Sequence, residues 1–471
     1  MSSREAGLVA LSIIGALIVG GCASPSKPAA APAPAAAAAG TAVTVAAVPT
    51  VEVYAKWRAA FERNLRENIL GFWLAHAPDR ERGGFFGAAD RKGTPDPLAP
   101  RSLVVNSRLV WTFAAAKRAL GNEEYAASAK AAYAYLVANF RDAKYGGWFW
   151  SLSASGKVLD SHKHLYGQSF AIYGLAEYAR TFGDKEALKL ALDTFRLMDR
   201  KAHDAKNGGY LEPWTREWKP ETKEHPIGPP DQKTTNTHLH LLESLTTLLV
   251  ASGDAEVKAR LEELYGLFLT KLVDTAGYAH EYFLPDWTPA GAAEASYGHD
   301  MELAWLMQEA AAALSAVPGP EANAEPAAPA VGAALGKPGD PAGVALSKAL
   351  VAHSVKYGYD EARGGVFERG PAGQPASVRS KTWWAQAEAL VGLLEGWKLT
   401  RDEGYWRRFE QSADFVLKTV CDNEYGEWYP QFKADGTVDY DAKISPWKCP
   451  YHNGRACMEI IRRLGEMMNA K

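Results

Sequence analysis

Glycine followed by an aromatic residue recurs along this chain at a nearly constant interval. The segments are Gly83-Gly84-Phe85-Phe86, Gly146-Gly147-Trp148-Phe149, Gly208-Gly209-Tyr210, Gly277-Tyr278, Gly364-Gly365-Val366-Phe367 and Gly426-Glu427-Trp428-Tyr429. From Gly84 through Gly147, Gly209, Gly277, Gly365 and Gly426 the steps are 63, 62, 68, 88 and 61 residues. A period of this length marks one supersecondary unit repeated, and a unit too small to bury its own apolar face must stack on its neighbours. The 88-residue step contains 318–343, a Pro/Ala/Gly-rich run of 26 residues that reads as an insertion within one unit, and without it the step is 62.

Between the glycine segments, Leu103–Leu120, Gln168–Phe182, Thr237–Ala251, Met301–Ala316 and Trp384–Leu399 are rich in Ala, Leu and Glu, with apolar residues three and four apart. Partner helices are expected at Glu123–Asn139, Lys185–His203 and Glu256–Val273, and short hairpins at Gly147–Leu152, Gly209–Trp214 and Gly365–Arg369. Six two-helix units predict an all-α fold of about twelve helices. Such units form an open solenoid or, at six, close as an (α/α)6 barrel with short β-hairpins in the connecting loops. Closure is favoured, because polar clusters from different repeats can meet only around one axis.

The first fifty residues have a different composition. Residues 1–22 read as an export signal: Arg4, an apolar run Gly7–Val19 too short for a stable membrane span, then small residues before Cys22. Val19-Gly20-Gly21-Cys22 resembles a bacterial lipobox, the alternative being an ordinary secretory signal. Residues 23–50 are Ala/Pro-rich and suit a tether, leaving 51–471 for the barrel. The expected address is therefore the bacterial envelope, with membrane contact only through a lipid on Cys22, and a monomer is the expected state. Apolar content of 47% and 15 tryptophans allow a large core, while a net charge of −3 gives no reason to expect nucleic acid as a partner. Beyond Cys22, the three cysteines Cys421, Cys449 and Cys457 set no disulfide framework, although a Cys449–Cys457 or Cys421–Cys449 bridge is conceivable.

Polar clusters sit at the starts of the predicted helices. They are Asn106-Ser107-Arg108, His162 to Gln168, Asn236-Thr237-His238-Leu239-His240, Tyr297 to Glu302, Trp383 to Glu388, and the turn Trp447-Lys448-Cys449-Pro450-Tyr451-His452-Asn453-Gly454-Arg455. His299, Glu302 and Trp305 share one helical face, as do Trp384 and Glu388. His238 and His240, two apart, cannot both point inward from a regular helix. His162, His164, His203, His225, His280 and His353 are read as caps or core residues. A zinc site would draw on His238, His240 and His299, but neither HExxH nor CxxC spacing occurs, and no metal is expected. Neither GxGxxG nor a P-loop pattern is present.

Asn106 to Trp111, Lys163 to Gln168, Asn236 to Glu243, Ser296 to Asp300 and Trp447 to Arg455 resemble, in order, the motifs of the cellobiose 2-epimerases within the N-acylglucosamine 2-epimerase superfamily. The resemblance runs from about Val53 to Leu464, and the leader, tether and 318–343 insertion are the departures. It implies an (α/α)6 barrel and 2-epimerisation at the reducing end of a β-1,4-linked disaccharide. By the same resemblance His452 is the acid and base at C2, His299 the partner that helps open the ring and exchanges protons from the other side, and Glu302 the carboxylate that orients His299. Arg108 and His240 hold the C1 and C2 oxygens, and Trp384, Glu388 and Trp305 contact the sugar rings, with Tyr166 and Asn236 beside them.

That chemistry is coherent on its own terms. The C2 proton of a reducing sugar becomes acidic only after ring opening, when the anion delocalises onto the C1 carbonyl as an enediolate. Two histidines can exchange that proton near neutral pH, and a guanidinium can hold the developing oxyanion, so no cofactor is required. The alternatives are a mannose-type aldose–ketose isomerase or an N-acylglucosamine epimerase, a glycoside hydrolase using Glu302 and Glu388, and a non-catalytic sugar-binding protein.

Overall fold

The computed structural model describes residues 49–223, 228–317 and 339–470. The leader, nearly all of the tether, His225 and most of the 318–343 insertion therefore lie outside the described residues.

Twelve helices build the described part. In chain order they are α1 (Val51–Arg63), α2 (Leu103–Leu120), α3 (Glu123–Tyr135), α4 (Leu165–Phe182), α5 (Lys185–Ala202), α6 (Thr235–Ser252), α7 (Ala255–Leu267), α8 (Tyr297–Ala316), α9 (Pro341–Gly358), α10 (Trp383–Thr400), α11 (Glu403–Phe415) and α12 (Tyr451–Asn469). α1 runs on through a π-helical stretch, Asn64–Leu70, into Gly71–His76. α3, α7 and α11 also end in π-helical stretches, at Leu136–Phe140, Phe268–Leu272 and Val416–Val420. The even-numbered helices form an inner ring in which each packs on the next and α12 packs back on α2. That last contact closes the barrel, since an open stack would leave its two ends apart. The sixth pair joins the chain's extremes, with α1 lying outside α12.

Burial separates the two rings as their sequences require. Every residue of α4 from Leu165 to Ala179, and of α10 from Ala385 to Trp397, is buried, as a helix surrounded on all sides must be. The outer α5 buries Ala187, Leu190, Ala191, Thr194, Phe195, Met198 and Ala202, a single stripe at three- and four-residue spacing. Inner and outer helices are joined by two residues, a left-handed one and a cap: Gly121-Asn122, Gly183-Asp184, Gly253-Asp254 and Arg401-Asp402. The first ends one helix and the second caps the next through its side chain. Asp340 caps α9, so Pro341–Gly343, expected within the insertion, belong to a helix instead.

The glycine–aromatic segments are the turns at the ends of the outer helices. The amide of Asp79, Asp142, Asp204, Asp360 or Asp422 donates to the carbonyl five residues on, at Gly84, Gly147, Gly209, Gly365 or Glu427. Gly147 has φ of +67°, and a Cβ there would stand 2.8 Å from Gln168 Oε1, so the second glycine is needed on both counts. Each aspartate also meets a cation from the segment leading into the next inner helix: Asp79–Arg101, Asp142–Lys163, Asp204–Lys233, Asp360–Lys381 and Asp422–Lys443. Burial pulls Lys163 down to about 8 even beside its aspartate.

The hairpins are shorter than expected. Gly147–Leu152 contributes only the strand Ser151–Leu152, which pairs antiparallel with Arg101–Ser102 and Val158–Asp160. Lys233–Thr234, Tyr282–Phe283 and Pro289–Ala290 form a second such sheet, and Lys381–Thr382, Gln431–Phe432 and Val438–Tyr440 a third. Glu294–Ser296 pairs with Arg369–Pro371. Gly209–Trp214 makes isolated bridges only. These ladders run directly into α2, α6, α10 and α8 and so gather the inner-helix N-termini at one end. Cys421, Cys449 and Cys457 are buried free thiols, so neither conceivable bridge forms.

The fourth residue of an inner helix grips the preceding glycine turn. Gln168 accepts from Trp148 N at 2.9 Å and donates to its carbonyl at 3.0 Å, and Gln386 does the same at Val366. His238 occupies this position in α6, with Nε2 accepting from Tyr210 N and Nδ1 on the Thr234 carbonyl. It is the structural member of the His238/His240 pair. Burial, with a smaller contribution from Lys233, holds its pKa near 4. Unfolded, it would titrate near 6.5, so between those values the unfolded chain binds more protons and stability falls as pH drops from about 6.5 toward 4. His238→Gln, which copies its repeat neighbours, is expected to remove up to about 3 kcal/mol of that acid loss. Urea titrations of both proteins at pH 7 and pH 4.5 measure it.

Candidate active site

The inner helices enter the cavity in matching register. Their second residues include Tyr166, Asn236, Gly298, Trp384 and His452; their sixth include Arg108, Phe170, His240, Glu302 and Glu388; their ninth include Trp111, Tyr173, Glu243 and Trp305. One helical turn separates each layer from the next. All ten residues singled out in the sequence are thus on one ring, and eight of them lie in its first two layers.

Arg455, 2% exposed, forms the floor. Its Nη2 donates to Glu302 Oε1 at 2.5 Å and Glu388 Oε1 at 2.8 Å, and its Nη1 donates to Tyr451 Oη at 2.5 Å and pairs with Glu243. The Tyr451 hydroxyl also donates to Glu243. Burial pushes Glu302 and Glu388 well above the usual carboxylate range, Glu302 further because Glu388 adjoins it. Burial also lowers Arg455 to about 10. Above the floor, Arg108 Nη2 donates to Tyr166 Oη at 3.0 Å, and its guanidinium lies 4.1 Å from the Phe170 ring and 4.6 Å from that of Tyr451.

Three imidazoles border the cavity, each held through Nδ1. His452 Nδ1 is 2.7 Å from Glu388 Oε1, His240 Nδ1 is 3.0 Å from Glu243 Oε2, and His299 Nδ1 is 2.9 Å from Ser296 Oγ. Trp384 touches two of them, with ring centres 4.7 Å from His299 and 5.8 Å from His452. Gly298 makes room for it, since a Cβ there would stand 2.6 Å from the Trp384 ring. Burial depresses all three histidines. Arg108 adds to the effect at His452 and His240, and Arg369 adds to it at His299, which is held at about 4. At neutral pH each therefore presents a neutral ring.

Three expected roles change. Glu302 makes no hydrogen bond to His299; it is tied to Arg455, and Ser296 holds His299. Glu388, expected against the sugar, instead bonds His452. Trp305, also expected to stack on sugar, is buried, donates from Nε1 to Glu388 Oε2 at 3.1 Å and has the Arg455 guanidinium 4.8 Å from its ring centre. Asn236 stands one turn above His240, with an Oδ1 that accepts no hydrogen bond among the described residues. Arg455 and Glu243 had no assigned role in the sequence; the signal for them was spacing, three residues beyond His452 and His240 respectively. At the rim, Trp447 is 39% exposed, its ring 6.2 Å from both Trp150 and Tyr166.

Among the described residues two donor groups are compact enough for a cation, His240/Glu243/Glu302 and Glu302/Glu388/His452, each with ligand atoms within 4.8 Å. Arg455 already occupies an oxygen of every carboxylate in both. The zinc set considered from sequence does not assemble, because His238 is spent on Tyr210 and Thr234.

The profile of the N-acylglucosamine 2-epimerase (GlcNAc 2-epimerase) family matches residues 84–331 and 332–456. The chain belongs to this family. It is 35% identical to a cellobiose 2-epimerase of Bacteroides fragilis over 407 residues, which is 85% of this chain and 97% of that one. A cellobiose 2-epimerase of Ruminococcus albus is 32% identical over 409 residues, with 85% and 97% covered. Among solved structures, cellobiose 2-epimerase from Spirochaeta thermophila superimposes with a TM-score of 0.76 at 32% identity, covering 88% of this chain and 98% of its own. Membership of the family accounts for the barrel, and the ring of polar residues in it is the place where a family member's chemistry would occur.

Proposed function

We propose that the chain is a 2-epimerase of reducing β-1,4-linked disaccharides, converting a reducing-end glucose to mannose and back. The observation that carries this reading is the pair of imidazoles, His452 and His299, each held through Nδ1 and both in contact with Trp384. Similarity to cellobiose 2-epimerases over 85% of the chain supports the substrate class. After ring opening, His452 Nε2 removes the C2 proton, the C2–C3 bond rotates, and His299, which enters the step as an imidazolium protonated from solvent, returns a proton from Nε2 to the other face. The reverse reaction exchanges their roles. Arg108, whose Nε has no hydrogen-bond partner among the described residues, stabilises the enediolate oxygen, and His240 and Asn236 hold neighbouring hydroxyls. Trp447 at the rim stacks on the second sugar.

A hydrolytic reading fits less well. The two carboxylates considered for it, Glu302 and Glu388, converge on a single nitrogen of Arg455, whereas a hydrolase needs carboxyls about 5–9.5 Å apart, flanking the bond. Incubation with cellobiose in D₂O, followed by NMR, separates the readings. A mannose-ended disaccharide carrying deuterium at C2 is expected; a ketose indicates an isomerase, free glucose a hydrolase, and an unchanged substrate a binding protein.

The leader supports a lipid-anchored site of action at the bacterial envelope. No helix among the described residues is long and apolar enough to cross a membrane. Cys22→Ser should release the full-length protein from membranes on expression in a lipoprotein-processing bacterium; if the variant still pellets with them, the lipid anchor is refuted.

A further inference from the structure

The inner helices α2, α6, α8 and α10 are each preceded by a hydroxyl residue: Ser102, Thr234, Ser296 and Thr382. At the first two, the hydroxyl does what a helix cap ordinarily does. Ser102 Oγ accepts from Val105 N at 3.2 Å, and Thr234 Oγ1 accepts from Thr237 N at 3.1 Å. Ser296 and Thr382 have the same extended backbone but cap nothing, and of these two hydroxyls only that of Ser296 has a partner among the described residues. The Ser296 Oγ lies 2.9 Å from His299 Nδ1, and it makes no other hydrogen bond among the described residues. The helix forgoes a cap of a kind that is worth about 1 kcal/mol. The hydroxyl is committed to an imidazole instead.

That choice of partner distinguishes the two histidines. The partner of His452 Nδ1 is Glu388 Oε1, and this carboxyl already accepts from two groups that can only donate, Arg455 Nη2 at Oε1 and Trp305 Nε1 at Oε2, so it faces His452 as an acceptor. Neutral His452 therefore keeps its proton on Nδ1 and always shows a lone pair at Nε2. A serine hydroxyl can accept or donate by rotating about its C–O bond. With Ser296 accepting, neutral His299 carries Nδ1–H and Nε2 is a base; with Ser296 donating, Nε2–H faces the cavity as a hydrogen-bond donor to a sugar oxygen. When His299 is an imidazolium, Ser296 accepts from Nδ1–H and Nε2–H is the proton to be delivered. The ring need not turn in any of these states.

We infer that Ser296 is a positioning residue that lets His299 alternate between accepting and donating through Nε2, while Glu388 keeps His452 in one tautomer. The inference rests on the proposed role of His299 as a proton carrier.

Ser296→Ala tests this, with Ser296→Thr as the conservative control. Without the hydroxyl, Nδ1–H would lose its acceptor, so neutral His299 should collapse to the Nε2–H tautomer and cease to be a base. Two-bond ¹H–¹⁵N spectra of [¹⁵N]histidine-labelled protein, assigned with His299→Gln, read the tautomer without turnover. The expected result is a mixed or averaged His299 pattern in the native protein and in Ser296→Thr, and a single Nε2–H pattern in Ser296→Ala. The kcat for cellobiose should fall about 10- to 100-fold in the alanine variant, with KM changed less than about twofold and activity restored by threonine. An unchanged His299 pattern in Ser296→Ala overturns the inference, as does a changed pattern with native kcat. If His299→Gln itself retains full activity, the role of His299 as a proton carrier fails instead, and the spectra still report whether Ser296 sets its tautomer.

Discussion

Replacing His452 with alanine is expected to lower kcat for epimerisation of cellobiose by about 10²–10⁴-fold, with a much smaller change in KM. The ring is buried at the second position of α12, its Nδ1 is fixed on Glu388, and Glu388 is fixed in turn by Trp305 and Arg455. This chain of contacts leaves Nε2 as the single nitrogen that can meet substrate, and burial beside Arg108 keeps it unprotonated at neutral pH. Alanine removes the base and leaves the carboxylate still bonded to its other two partners, so the thermal midpoint should move far less than the rate. Initial rates and a melting curve measured on the same preparation check both halves. A variant with the native rate would show that His452 is not the group that moves the C2 proton.

The fold was legible because its information is local and repeated. A glycine turn, a two-residue joint and an apolar stripe each depend on residues within a few positions of one another, and the turn recurs six times. α2 has the bounds Leu103–Leu120 that its spacing predicts. The closing pair was less legible, because α12 finds its outer partner in α1, at the other end of the barrel sequence. The site divides along the same line. His299, His240, Arg108 and His452 stood out as polar residues at helix starts. The roles of Glu302, Glu388 and Trp305 did not follow, because their partners come from other repeats: Arg455 meets Glu302 across 153 residues, and Tyr451 meets Glu243 across 208. Sharing a helical face placed Glu302 near His299, but a buried carboxylate goes to the strongest donor within reach, and that donor was Arg455.

The same floor gives the largest expected effect on stability. Arg455→Met keeps an unbranched side chain under Trp305 and Tyr451 but withdraws the charge from Glu243, Glu302 and Glu388. Breaking a buried ion pair by removing one partner costs about 3–5 kcal/mol, because a charge is left without compensation. That cost depends on pH in a definite sense. Glu302 and Glu388 already titrate above the usual carboxylate range, and loss of the cation raises them further. A group whose folded pKa exceeds its unfolded value contributes stability below the unfolded pKa and loses it as pH rises through the folded one. The deficit of Arg455→Met relative to the native protein should therefore be smallest near pH 5 and grow toward pH 8. Comparing the two proteins at each pH cancels the opposite trend from the buried histidines, which both retain. Urea midpoints at pH 5 and pH 8 measure the difference, and Glu302→Gln in the Arg455→Met background should recover stability at pH 8 and little at pH 5. An equal deficit at the two pH values would mean that Arg455 supports the barrel by packing on the aromatic rings rather than by balancing the carboxylates.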